Sequence, residues 1–170
     1  TEGEKSGMIV VADTTPLISL MKAARLDILE PLFKEVLIPQ AVYEELTTNS
    51  DFQDEANQIK NSDFIKMVTV KEHKAVDVLR RSSGLDLGES EAIIFADDSK
   101  ADVLLMDEAR GRQVAKNMGL YIMGSVGVLL FAYEENLLTG SDVEDALEKL
   151  KKADRHIGDD VINYALSKIR

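Results

Sequence analysis

Short, unbroken apolar runs separated by longer amphipathic stretches constrain this chain more than any other feature. MIVVAD (8–13), EVLIP (35–39), ADVLLMD (101–107) and LYIMG (120–124) are continuous rather than alternating. Strands buried on both faces read this way. KMVTV (66–70) is more polar and reads as an edge strand. Strands alternating with helical segments predict an α/β fold whose parallel sheet is covered on both faces.

The helical segments carry local signals. Thr15 followed by Pro16 reads as an N-cap and a first helical residue, ahead of Leu17, Leu20, Met21 and Ala24 at helical spacing. LDILEPLF and QAVYEELTT continue as helices, and residues 49–63 predict a short surface helix with loops. HKAVDVLRRSS ends at Gly84, LGESEAIIFADDS follows, and EARGRQVAKNMG closes at Gly119. SVGVLLFAYEEN is a further helix, Ser141 with Glu144 forms a capping-box pattern, and a last helix runs from about Asp159 to Ile169. At 170 residues the chain predicts one domain over 8–170, with the polar TEGEKSG of 1–7 as a disordered tail.

Composition removes several function classes. There is no cysteine, and His73 and His156 lie far apart, so thiolate and histidine zinc sites are not expected. The longest apolar run, VGVLLFAY, falls well short of the roughly 20 residues that span a bilayer. An intracellular, cytoplasmic location without membrane association is expected. Twenty basic against 31 acidic residues gives a net charge of −11, a poor footprint for binding nucleic acid.

Against that background the acids at the strand ends stand out. Ligands of parallel α/β sheets bind beyond the carboxyl ends of the strands, where Asp13 and Asp107 both lie. A carboxylate at the edge of an apolar strand is costly unless something pairs with it, and Thr15 already supplies a cap. Asp107 has a structural alternative as N-cap of the helix that follows. At 100° per residue Glu89 shares a face with Ala92, Ile93 and Ala96, while Glu91 points nearly opposite. Glu89 also reads as a capping-box partner of Asp86. Glu45 sits at the border of a buried face formed by Val42, Tyr43 and Leu46, with Glu44 opposite. If the four converge, their mutual repulsion calls for a proton or a cation. Oxygen-only ligands favour Mg²⁺ or Mn²⁺.

Four segments in order carry a resemblance: VVADTTPLISL, VLIPQAVYEEL, GLDLGESEAIIFA and LLMDEARGRQVAKNMGLYIMGSVGVLL. They resemble the PIN-domain family of metal-dependent ribonucleases, and most closely a prokaryotic subgroup of it. The match covers about residues 9–138 and continues more weakly through the last helices. The resemblance implies a three-layer α/β/α sandwich with strand order 3-2-1-4-5. It implies hydrolysis of RNA phosphodiesters by Asp13, Glu45, Glu89 and Asp107, with Asp13, Glu89 and Asp107 as metal ligands. Most PIN domains have aspartate where Glu89 stands. Thr14, Glu108 and Glu91 are candidate outer-shell groups. Ser125 opens a helix and, with Arg110 and Arg112, is a candidate phosphate contact; a plain N-cap is its alternative. Many PIN proteins are toxins held by an antitoxin protein, and many dimerise, so an antitoxin partner and a homodimer follow by analogy.

Two other readings compete. Phosphoryl transfer of the haloacid-dehalogenase kind needs a second acid two residues after Asp13, where Thr15 stands. A non-catalytic PIN-like module that binds nucleic acid or protein fits the net charge better and the four acids worse.

Overall fold

The computed structural model describes residues 7–155 and 157–170; His156 and all of the expected tail except Gly7 lie outside the described residues. Strands β1 (Val10–Ala12), β2 (Val36–Pro39), β3 (Ile65–Val68), β4 (Val103–Leu105) and β5 (Ile122–Met123) form one sheet in the order β3-β2-β1-β4-β5. Every pairing is parallel, with Val11 opposite Leu37 on one side and Leu104 on the other. The sheet has the predicted order, and KMVTV contributes an edge strand.

The continuous apolar runs have a direct explanation in the core. Val10, Ala12, Val103 and Leu105 point into one cluster, while Val11, Leu104 and Met106 point into another on the opposite face. The first face is covered by α1 (Thr14–Lys22), α2 (Leu29–Phe33), α8 (Ser125–Glu134) and α9 (Gly140–Lys152), through residues such as Leu17, Leu29, Leu129 and Leu150. The second is covered by α6 (Leu87–Asp98) and α7 (Ala109–Asn117), through Ile93, Ala96 and Ala115. Both faces being buried, no position in β1 or β4 needs to be polar, and each fully buried leucine or isoleucine stabilises the fold by about 1.5–3 kcal/mol. This is a three-layer α/β/α sandwich. The remaining helices are α3 (Gln40–Thr48), α4 (Gln53–Asn61), α5 (His73–Ser83) and α10 (Asp159–Ile169). Among the described residues no helix is long and apolar enough to cross a membrane.

Two helix starts differ from the local patterns. Helix α1 begins at Thr14, with Asp13 in the N-cap position, so Thr15 and Pro16 are its second and third residues. The first four N–H groups of a helix have no intrahelical partner, so proline loses nothing at the third position. The position of the start is set by the sheet: the Asp13 N–H still donates to the Leu105 carbonyl at 3.0 Å. Helix α9 is closed by Thr139 and Asp142 rather than Ser141 and Glu144. The Asp142 N–H donates to Thr139 Oγ1 at 3.1 Å, and the Thr139 N–H to Asp142 Oδ2 at 2.9 Å. Thr139→Ala is therefore expected to cost about 1 kcal/mol in urea unfolding, whereas Ser141→Ala should change stability by less than about 0.5 kcal/mol.

Candidate active site

Asp13 leaves the sheet at the carboxyl end of β1 in extended conformation (φ −84°, ψ 174°). It occupies the N-cap position of α1, yet its side chain makes no capping hydrogen bond, and it is 3% exposed. Burial lifts its carboxyl from 3.8 to about 7; the Thr14 N–H opposes this, and the charges of Glu89, Asp86 and Glu45 add to it. An acid in this position carries no capping role that would account for its burial.

Glu45 comes from α3 and faces α6 across Gly88, where a Cβ would lie 3.5 Å from Glu45 Oε1. Its carboxyl is raised by burial and by Asp86, while the nearby Thr14 hydroxyl favours the charged form. Thr14 Oγ1 itself is buried with no hydrogen-bond partner of normal length among the described residues. Glu89 stands in the first turn of α6, where the capping box with Asp86 is complete. The Glu89 N–H donates to Asp86 Oδ1 at 2.8 Å, and the Asp86 N–H to Glu89 Oε1 at 3.0 Å. One Glu89 oxygen is thus held, and burial, followed by the charges of Asp86 and Glu108, raises its carboxyl despite the Asp86 N–H.

Asp107 follows β4, the strand bonded to β1, so it leaves the sheet beside Asp13. It does not cap the helix after it; that position belongs to Glu108, whose carboxylate accepts from the Arg110 N–H at 3.5 Å. Asp107 Oδ1 instead accepts from the Ser125 N–H at 2.7 Å and from its hydroxyl at 3.3 Å, which places a carboxylate at the start of α8. Burial raises Asp107, while Ser125 and the charges of Arg112 and Arg155 oppose the rise. Gly124, the N-cap of α8, makes this contact sterically feasible: a Cβ there would lie 2.8 Å from Asp107 Oδ1 and 3.0 Å from Arg112 Nη1.

The other candidates divide. Arg112 Nη1 donates to the Met106 carbonyl at 2.8 Å, beside Asp107. Arg110 is engaged elsewhere, at the Ser83 carbonyl that ends α5, 3.0 Å away. Both Ser125 donors are committed to Asp107, so its contacts are those of a group that positions this acid. Glu91 Oε1 accepts from the Ala41 N–H at 3.1 Å and so caps α3. Asp86 and Arg155 join the constellation unannounced. Asp86 was legible only as a cap, and Arg155 only as one charge in the basic stretch KLKKADRH.

A hard divalent cation fits this donor set. All the side-chain donors are oxygens, and four carboxyls sit above their ordinary values, three of them with like charge beside them, a condition that a cation relieves. Among the described residues, Asp107 Oδ2 and the second Glu89 oxygen remain available after their structural hydrogen bonds. Among the described residues no three histidines or acids stand close enough to form a finished coordination shell.

The PIN-domain family profile matches residues 9–170, nearly the whole chain. The chain belongs to the PIN-domain family. No curated protein sequence matches it. PIN domains are usually nucleases that act on RNA or DNA and generally use divalent metals, and this PIN domain has the nuclease-type fold.

Proposed function

We propose that this PIN domain is a metal-dependent ribonuclease that hydrolyses RNA phosphodiester bonds with Mg²⁺ or Mn²⁺. The observation that carries the reading is Asp13: a buried, uncapped carboxyl at a strand end, raised to about 7 and flanked by three further acids. Asp13, Glu89 and Asp107 would hold the cation. The bound cation would supply activation of water and neutralisation of charge on the phosphate. Glu45 is suited to take the proton from the attacking water, because it reaches solvent and its carboxyl is raised by partial burial and by Asp86, with only the Thr14 hydroxyl favouring the charged form. Arg112 is suited to steady the phosphate beside Asp107.

The test is incubation of single-stranded RNAs with purified protein in Mg²⁺, in Mn²⁺ and in EDTA. Cleavage is expected only with metal and is expected to vanish in Asp13→Asn. Absence of cleavage on varied RNAs, with identical metal responses in the two proteins, would reject the reading. We extend it to the toxin of a toxin–antitoxin pair: expression alone should then arrest growth, and Asp13→Asn should not.

One observation favours a second reading, a non-catalytic module that binds a protein partner. The net charge of −11 opposes a long RNA footprint.

A further inference from the structure

We propose that the groove beside β5 is a subsite for the nucleotide flanking the scissile bond, its phosphate on Arg112 and Arg155 and its base against an aromatic wall. This rests on the ribonuclease reading and goes beyond its four acids. The groove has a volume of about 1010 Å³ and runs from Asp107, Arg112 and Ser125 to Tyr121. Tyr121 and Ser125 flank the amino and carboxyl ends of β5, four residues apart, or roughly 13 Å at about 3.3 Å per residue. Small-ligand sites occupy roughly 300–1,000 Å³, which is room for one nucleotide and its solvent.

Arg155 Nε donates to Ser19 Oγ at 3.2 Å, and Arg112 Nη1 to the Met106 carbonyl. Each guanidinium is therefore oriented by a neutral acceptor, and among the described residues neither enters a salt bridge. Both act on Asp107 without neutralising it by contact. Two oriented cations with unspent N–H groups, beside a candidate cleavage site, complement a phosphate. Glu108, Glu134 and Asp154 also line the groove, which disfavours a second phosphate and limits the occupant to one nucleotide.

The walls suit a base. Phe131 lines the groove and packs on Phe33 with ring centroids 5.9 Å apart. Tyr121 and Tyr164 line it with 63% and 57% of their surfaces exposed. One face of Tyr164 carries Lys168 Nζ at 5.3 Å from the centroid. Exposed aromatic faces beside cations are the elements on which single-stranded nucleic acid stacks, with little sequence preference.

The experiment is titration of the whole protein in EDTA with nucleoside 5′-monophosphates and with inorganic phosphate, followed by calorimetry and by amide shifts of 121–127. Nucleotide binding is expected to weaken about tenfold in Arg155→Gln and about tenfold in Tyr164→Ala. Inorganic phosphate should respond to Arg155→Gln only. Tyr164 is exposed, so its variant should fold. In metal, both variants should raise KM for RNA. Nucleotide binding untouched by both variants, or absent, would overturn the subsite. So would dissociation of a dimer by Tyr164→Ala with no nucleotide effect, which would make the groove an interface between copies. RNA cleavage with unchanged KM in both variants overturns the subsite and leaves the nuclease. Nucleotide binding with these sensitivities but no RNA cleavage removes the nuclease and leaves a nucleotide site.

Discussion

In EDTA, the unfolding free energy of the wild type is expected to fall by about 4 kcal/mol between pH 4 and pH 7, and that of Asp13→Asn to fall much less. The Asp13 carboxyl titrates near 7 in the folded chain against 3.8 in its ordinary state. Between those values the folded protein binds more protons than the unfolded one, so stability declines with rising pH. The contribution is complete below about pH 4, is lost through pH 7 and is level above it. Three pH units correspond to about 4 kcal/mol. Glu45, Glu89 and Asp107 are raised in the same direction and account for the slope that remains in the variant. Mn²⁺ at a hundred times its dissociation constant should return about 2.7 kcal/mol to the wild type at neutral pH, and much less to Asp13→Asn. Urea unfolding across this range, with EDTA and with Mn²⁺, makes the measurement. A flat wild-type profile would mean that Asp13 is not the buried acid described above.

The second large effect is expected at Gly124→Ala. The backbone there has a φ of −86°, so alanine meets no conformational barrier. The added methyl would sit 2.8 Å from Asp107 Oδ1, closer than real contacts allow, and a tight 3.0 Å from Arg112 Nη1. Either Asp107 moves away from Ser125 or α8 shifts. A displacement near 1 Å in a reacting group can cost on the order of 100-fold in rate, and overpacking about 1–3 kcal/mol in stability. RNA cleavage should fall by about 100-fold, together with the Mn²⁺ response. Gly127→Ala is the control. Its methyl would meet only Met123 Cγ, at 2.9 Å, so it crowds the same helix without touching Asp107. Equal losses in the two variants would show that crowding α8, rather than moving Asp107, is what matters.

The sheet was legible because its strands are unbroken apolar runs, and the rule that ligands gather beyond strand ends brought Asp13 and Asp107 together. The capping box of Glu89 with Asp86 was legible from their spacing. Helix starts were legible only to within a turn. Thr15-Pro16 and Ser141-x-x-Glu144 are local patterns, whereas the true starts depend on where a strand releases the chain and on which threonine reaches the third N–H. The Asp107–Ser125 contact spans 18 positions and two elements, and no local pattern marks it. The place of Arg155 beside Asp107 is hidden for the same reason: it is fixed by Ser19, near the other end of the chain.

The hydrogen bonds of Glu89 and Asp107 decide how a substrate trap could be made from this protein. Glu89 fastens the first turn of α6 and Asp107 fastens α8, so silencing either also loosens scaffolding. A catalytically dead protein built that way would confuse lost chemistry with lost shape. Glu45 fastens no helix start among the described residues; the Thr14 hydroxyl is its neighbour, and its Oε1 faces the bare surface of Gly88. Glu45→Gln keeps the outline of the pocket and withdraws only the proton acceptor. It is the substitution with which to hold an uncut strand in place and ask which RNA this protein selects.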